Sequence, residues 1–297
     1  MHPYHIFDVF TDRPLSGNPL AILPDAKGLS DAQMQAIAAE FNLSETVFIL
    51  PPKDPVHTAR LRIFAPRMEL PFAGHPLIGT AIHLAMEGEL FNRPVGDQFT
   101  LETGIGPLPF DIDRTKETPV ARLTNTVGLK HHHDVPIELA AACLSLPASA
   151  IETTAHSPQI LSKGLPYLLV ELADRQALSE SRPDIPAFSK AEATYPTGEG
   201  PISIYPYWQQ DLRRVHARMF DPLAGIFEDP ATGSAAAALG ALLCQLRKTD
   251  VQIDIKQGYD MGRPSRIGIF AQSDAPSGSS VQLSGGAVKV MQGTLSL

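Results

Sequence analysis

Residues 4–10 alternate along the chain, with Tyr4, Ile6, Asp8 and Phe10 on one side and His5, Phe7 and Val9 on the other. A two-residue period with aromatic and β-branched members predicts a strand. Ser16-Gly17-Asn18-Pro19 is a turn, and Leu20-Ala21-Ile22-Leu23 is the returning strand. After Ser30 the period lengthens to three and four. Met34, Ile37, Ala38 and Phe41 mark the buried face of a helix ending near Phe41, with Asp31 in its first turn. Strands are predicted at 46–50 and 59–64, and a pair within 101–113 around Gly104-Ile105-Gly106-Pro107. From Pro76 to about Met86 the chain is apolar nearly all round, which predicts a buried helix with proline suitably at its start. The polar stretch 128–134 reads as a linker. Beyond it come short strands at 167–171, 201–205 and 216–220, then a small-residue helix from Ser234 to about Leu246. Strands near 251–255 and 267–271 follow, and 287–297 is strand-like enough to cross back to the first half.

One stretch is written twice. Arg62-Ile63-Phe64-Ala65-Pro66 leads through a loop into Gly74-His75-Pro76 and an apolar run. Arg218-Met219-Phe220-Asp221-Pro222 leads likewise into Thr232-Gly233-Ser234 and a second apolar run. The leads lie 156 residues apart (218 minus 62) and the glycines 159 apart (233 minus 74). Solenoid periods are roughly 20–50 residues, so this spacing points to a duplicated domain instead. Sheet wrapped around one buried helix, twice over, is the α+β architecture that follows. Two helix starts facing one interdomain cleft would make it anion-seeking, because each start carries free N–H groups and the positive end of a dipole.

Composition narrows the partners. The chain has 297 residues, enough for about two domains, with 43% hydrophobic and 19% charged residues. A net charge of −8 argues against nucleic acid and against an anionic membrane. Proline occurs 27 times, so tight turns and few long helices are expected. Cys143 and Cys244 are the two cysteines, and neither has metal or CxxC spacing. Met1 to Phe10 lacks the pattern of a signal peptide, and no apolar run reaches the ~20 residues needed to span a bilayer. A cytoplasmic location is therefore expected.

Three ordered motifs carry a resemblance: Asn42-Leu43-Ser44-Glu45, Glu69-Leu70-Pro71-Phe72-Ala73-Gly74-His75-Pro76 and Glu228-Asp229-Pro230-Ala231-Thr232-Gly233-Ser234-Ala235. With Phe7-Asp8-Val9-Phe10, Gly17-Asn18-Pro19 and Gly262-Arg263-Pro264-Ser265 they resemble the signature of the PhzF family of phenazine-biosynthesis isomerases and their relatives, end to end. The resemblance implies a fold similar to diaminopimelate epimerase. That fold has two pseudo-symmetric domains, each a mostly antiparallel sheet or barrel rolled around one central helix, with the site between them. On this chain the halves are 1–127, with 286–297 crossing back, and 128–285. A homodimer, a small carboxylate substrate, and no cofactor or metal are the accompanying expectations.

By the same resemblance Glu45 is the lone acid–base group, at a loop-like position where a helix hands over to a strand. It would take a proton from an activated carbon and return it to another, a role a carboxylate fills if burial lifts its pKa. An isolated glutamate before a strand is ordinarily a solvated surface residue. Gly74 and His75 at one helix start, and Thr232, Gly233 and Ser234 at the other, are the expected carboxylate or enolate binders. Capping alone is the rival reading. His75 could position a substrate group or relay a proton, and its plainer role is a buried or capping histidine. Asp229, by resemblance, binds a polar group such as an amine, and is otherwise an acidic residue near a helix start. Asn18 either reaches the cleft or is an ordinary turn residue. Adjacent His131, His132 and His133 lack the spacing of a built metal site. Thr103-Gly104-Ile105-Gly106 is no dinucleotide fingerprint, since a proline follows and no helix opens.

Three functions compete: a cofactor-free isomerase using Glu45, a two-cysteine epimerase or racemase of the same fold, and a non-catalytic binder of small carboxylates. The helix starts carry His75 and a Thr-Gly-Ser sequence rather than cysteine, which disfavours the second. Ala65, Met68 and Ala236-Ala237 depart from the phenazine enzymes, which tend to have threonine, asparagine and glycine-proline there. A dihydroxyanthranilate-type substrate is therefore not implied.

Overall fold

The opening alternation forms strand β1 (His2–Val9), but the period ends before the strand does. Phe7, Asp8 and Val9 are all buried, so both faces of its second half are covered, and the pairing with the last strand shifts register after Ile6. The structure is a computed structural model that describes residues 1–273 and 280–297. It divides into two units, Met1–Thr124 with Leu283–Leu297, and Asn125–Gln282.

In the first unit β1 is followed by β2 (Asn18–Leu23), α1 (Asp31–Phe41), β3 (Glu45–Leu50), β4 (Ala59–Phe64), β5 (Glu69–Leu70) and α2 (Gly74–Glu87). The short β6 (Glu89–Leu90) and β7 (Arg93–Pro94) lead to β8 (Gln98–Thr103), β9 (Gly106–Asp113) and β10 (Val120–Asn125). Helix α1 begins with a capping box, in which the Ser30 side chain accepts from the Gln33 N–H and the Gln33 side chain accepts from the Ser30 N–H. It ends at Asn42 in the left-handed conformation. Thr103-Gly104-Ile105-Gly106 is the tip of the β8–β9 hairpin, with Thr103 opposite Gly106.

The second unit holds β11 (Lys130–Asp134), α3 (Ile137–Cys143), β12 (Gln159–Ser162), β13 (Pro166–Glu171), α4 (Arg175–Glu180) and α5 (Ile185–Thr194). Then come β14 (Ser203–Gln209), β15 (Arg214–Ala217), α6 (Gly233–Arg247), β16 (Val251–Gln257) and β17 (Ser265–Gln272). The stretch read as a linker is strand β11, antiparallel to β12. Helices α3, α4 and α5 are absent from the periodicity, because they run only 7, 6 and 10 residues. Two of them still carry start signals: Asp174 accepts from the Ala177 N–H and Asp184 from the Ala187 N–H.

The last strand, β18 (Ser280–Leu295), begins in the second unit and continues into the first. There it pairs with both β10 and β1, which closes the order β1-β2-β3-β4-β8-β9-β10-β18 into an eight-stranded barrel. The strands of the second unit follow the order β17-β16-β15-β14-β13-β12-β11. Each unit is mostly antiparallel with two parallel pairs, β2–β3 and β4–β8 in one, β13–β14 and β15–β16 in the other.

Each sheet wraps one buried helix. Every residue of α2 from Gly74 to Ala85 is buried against β1, β2, β3 and β9. Every residue of α6 from Gly233 to Cys244 is buried against β13, β16 and β17. A glycine sets how closely each helix lies on its sheet. A Cβ added at Gly79 would stand 2.6 Å from side-chain carbons of Val9 and Leu20, and one at Gly240 would overlap Ile269. The α+β class and the single central helix per unit are as the sequence implies.

Candidate active site

Strands β2 and β3 run parallel with Leu20 opposite Glu45, so both strands start at the same end of their sheet. Asn18 opens β2 and Glu45 opens β3, one residue inside the strand rather than in the loop before it. Helix α2 packs on both strands and places His75, in its first turn, at that end. His75 Nδ1 lies 3.3 Å from Glu45 Oε2 and 3.3 Å from Asn18 Nδ2. Asn18 and His75 are buried, while the Glu45 side chain keeps 15% exposure. Burial pushes the His75 pKa down to about 3, offset only in part by the Pro19 carbonyl. A neutral imidazole makes no ion pair with Glu45, whatever the distance suggests. Instead Nδ1 is the ring atom that approaches both Glu45 Oε2 and the Asn18 amide nitrogen. No side chain caps α2 at Ala73, and Pro76 has no N–H, so Gly74 and His75 present the start's backbone amides.

In the second unit Thr232 is the N-cap of α6, yet its side chain does not cap the helix. Its hydroxyl donates to Asp229 Oδ2 at 2.5 Å and accepts from Gln257 Nε2 at 2.9 Å. Gln257 also donates to the Asp229 carbonyl at 2.8 Å and accepts from the Thr232 N–H at 3.2 Å and the Tyr205 hydroxyl at 3.0 Å. Those bonds use both donors and both acceptor sites of one amide, which fixes the loop in a single arrangement. The Ser234 hydroxyl sits 2.6 Å from that of Tyr167. Asp229, Thr232 and Ser234 are all buried, and Gly233 and Ser234 supply the first amides of α6. Gln257, Tyr167 and Tyr205 escaped the sequence reading, because nothing near them in the chain marks them and only the fold brings them to this loop.

The repeated lead has a structural counterpart. Arg62 lies over the Phe64 ring at 5.0 Å and grips Glu69 through Nε and a terminal nitrogen at 2.7 and 2.6 Å. Arg218 lies over Phe220 at 4.8 Å and grips Glu228 through the same two nitrogens at 2.9 and 2.8 Å. Each glutamate stands five residues before the helix-start glycine (74 minus 69, 233 minus 228). Each fork therefore ties the loop that delivers the binding residues to the strand before it. The second fork is enclosed: Arg218 is 3% exposed and its remaining arm donates to the carbonyls of Leu178, Ser179 and Ser181.

Neither cysteine stands at a helix start. Cys143 closes α3 and its thiol is pushed up to about 12, first by burial and then by Asp184. Cys244 lies far along α6, buried, with its thiol near the carbonyls of Thr249 and Ala271. The three histidines of β11 diverge: His131 pairs with Asp134 at 3.0 Å, His132 faces Glu199 at 3.6 Å, and His133 reaches the Pro196 carbonyl at 3.2 Å. Among the described residues no helix is long and apolar enough to cross a membrane.

A barrel around a buried helix, with a carboxylate and a neutral imidazole at the helix start, suits proton-transfer chemistry on small acids. Comparison with known proteins agrees: residues 7–293 match the PhzC-PhzF family, phenazine biosynthesis-like proteins. The chain is 40% identical to an uncharacterized isomerase of Mesorhizobium japonicum, with 98% of both chains covered. It is 37% identical to the trans-2,3-dihydro-3-hydroxyanthranilate isomerase of Pseudomonas aeruginosa, covering 99% of each. Among solved structures, the PhzF-family protein of Bacillus anthracis superposes with a TM-score of 0.88 at 25% identity, over 100% of this chain and 99% of that one. The chain belongs to the PhzC-PhzF family and is, with it, an isomerase.

Proposed function

We propose that the chain moves a proton between two carbons of a small unsaturated carboxylate without a cofactor, with Glu45 as the acid–base group. The approach of His75 to Glu45 within 3.3 Å, at a mostly enclosed strand start, is the observation that supports this most directly. The Glu45 carboxylate takes a proton from a carbon made acidic by the adjacent conjugated system. The negative charge left behind spreads over that system and its carboxyl group. Amides at a helix start, which need no reorganisation to meet it, stabilise this charge. Glu45, now protonated, returns the proton to a second carbon, so atoms and charge balance over the cycle. His75 stays neutral throughout and, 3.3 Å away, packs beside the carboxylate at the strand start. Asp229, Thr232, Gly233 and Ser234 serve binding rather than chemistry: the carboxylate of Asp229 suits an amine or hydroxyl, and the amides of α6 an acid group.

The substrate class is kept at a small carboxylate. Ala65 offers no side-chain hydrogen bond and Met68 is 58% exposed, so neither selects a particular acid. The epimerase reading lacks its two thiols at the helix starts. A cytoplasmic location and a homodimer complete the proposal, and sedimentation of the purified chain as a monomer would remove the latter.

The decisive experiment follows ligand protons by NMR in deuterated buffer, after a thermal-shift screen of small acids. Glu45→Gln is expected to bind the selected acid nearly as the parent does and to exchange no carbon-bound proton. Exchange at the parental rate would refute Glu45 as the base. Binding without exchange in the parent chain would favour a non-catalytic carboxylate binder.

A further inference from the structure

Two turns and more beyond His75, helix α2 carries a second group of side chains that the proposed reaction does not use. His83 lies eight residues on, about 12 Å along the axis at 1.5 Å per residue. His83 Nδ1 is 3.5 Å from His5 Nδ1 on β1 and 3.8 Å from Glu87 Oε1, one turn further along α2. All three donor atoms fall within 4.8 Å of one another. We propose that His5, His83 and Glu87 form a binding site for one divalent transition-metal ion of the zinc class.

The geometry is close to what such an ion requires. Tetrahedral bonds of about 2.0–2.1 Å to nitrogen and oxygen separate neighbouring donors by roughly 3.3–3.4 Å. The nitrogen pair is already within a few tenths of an ångström of that, and Glu87, 43% exposed, can swing the rest of the way. The His83 ring is fixed by its surroundings, being buried and met edge-on by the rings of His5 and Phe7 at 5.0 and 5.5 Å. Two imidazoles and a carboxylate suit zinc far better than calcium or magnesium. Lys289 on β18 is the opposing charge, its Nζ 3.7 Å from the same Glu87 oxygen, and the ion must displace it. A bound ion would tie β1 to the last turn of α2.

The test uses the full chain, free of chelators, titrated with Zn²⁺ alone by calorimetry and with Co²⁺ by its visible spectrum. One ion per chain is expected, with a tetrahedral Co²⁺ band and a zinc-dependent rise in Tm. His5→Ala and Glu87→Gln, both outside the fully buried core, are each expected to weaken binding at least about tenfold. Lys289→Gln should bind severalfold more tightly, since it releases Glu87. A control with His131 and His133 replaced by alanine should bind as the parent does. Absence of saturable zinc binding, or undiminished binding in both His5→Ala and Glu87→Gln, would overturn the site. Either result leaves the reading of Glu45 untouched, because no step of the test measures turnover.

Discussion

An imidazole held neutral beside a carboxylate ties stability to pH in one direction. The unfolded His75 ring takes a proton near 6.5, whereas the folded one, desolvated, resists until about 3. The unfolded state thus binds more protons between those values, and the contribution of His75 is complete above 6.5 and lost as the pH falls toward 3. At about 1.4 kcal/mol per unit the full effect is on the order of 5 kcal/mol. His75→Gln should flatten the slope of unfolding free energy against pH in that window, as urea titrations at several pH values would read. His75→Ala and Ser234→Ala should each weaken the bound acid by about 1–3 kcal/mol, measured by calorimetry. Cys143→Ser and Cys244→Ser should keep activity apart from a stability cost, and lost turnover in a folded, ligand-binding variant would revive a thiol mechanism. Asn18, Glu45 and His75 stood out through the family resemblance and not through the hydrophobic pattern, which begins its strands at Leu20 and Thr46 and its helix at Pro76. Gln257 and Tyr167 did not, because their roles arise from a strand pairing and a helix docking that bring distant chain segments together.

At the scale of elements, the two arginine forks invite a paired comparison. Glu228→Gln leaves Arg218 buried with half its charge partner gone, and should cost about 3–5 kcal/mol. Glu69→Gln acts on a 43%-exposed carboxylate and should cost no more than about 1 kcal/mol. Denaturant unfolding of the two variants would read the difference, and equal costs would refute the assignment of unequal enclosure. The leading arginines stood out in the sequence only as part of a repeat. Their partners could not be named, because Arg62 reaches seven residues ahead and Arg218 ten. Long elements with one period, such as α1, α2 and α6, were legible. The short α3, α4 and α5 were not, since under three turns hold too few apolar positions to set a phase, and β11 was hidden by its polar, half-exposed face.

For the molecule as a whole, the crossing back of the final strand is the organising fact. The duplication was readable from the repeated lead, and at the chain's end the sequence marked a strand-like stretch, 287–297, with its return only as an expectation. The closure of eight strands was not readable, because pairing partners leave no mark on a strand's own pattern. Removing residues 286–297 should open the barrel between β10 and β1, and the truncated chain is expected to lose cooperative unfolding of the first unit by circular dichroism. Closure also sets a timetable during synthesis. The second unit is one unbroken segment and can fold as soon as it leaves the ribosome. The first unit is missing a stave until another 173 residues (297 minus 124) have been added. At 5–20 residues per second that is a wait of roughly 10–30 s, with the edges of β1 and β10 unpaired and open to other chains. The half of the molecule made first is thus the half finished last, and its nascent edges are where a chaperone would be needed.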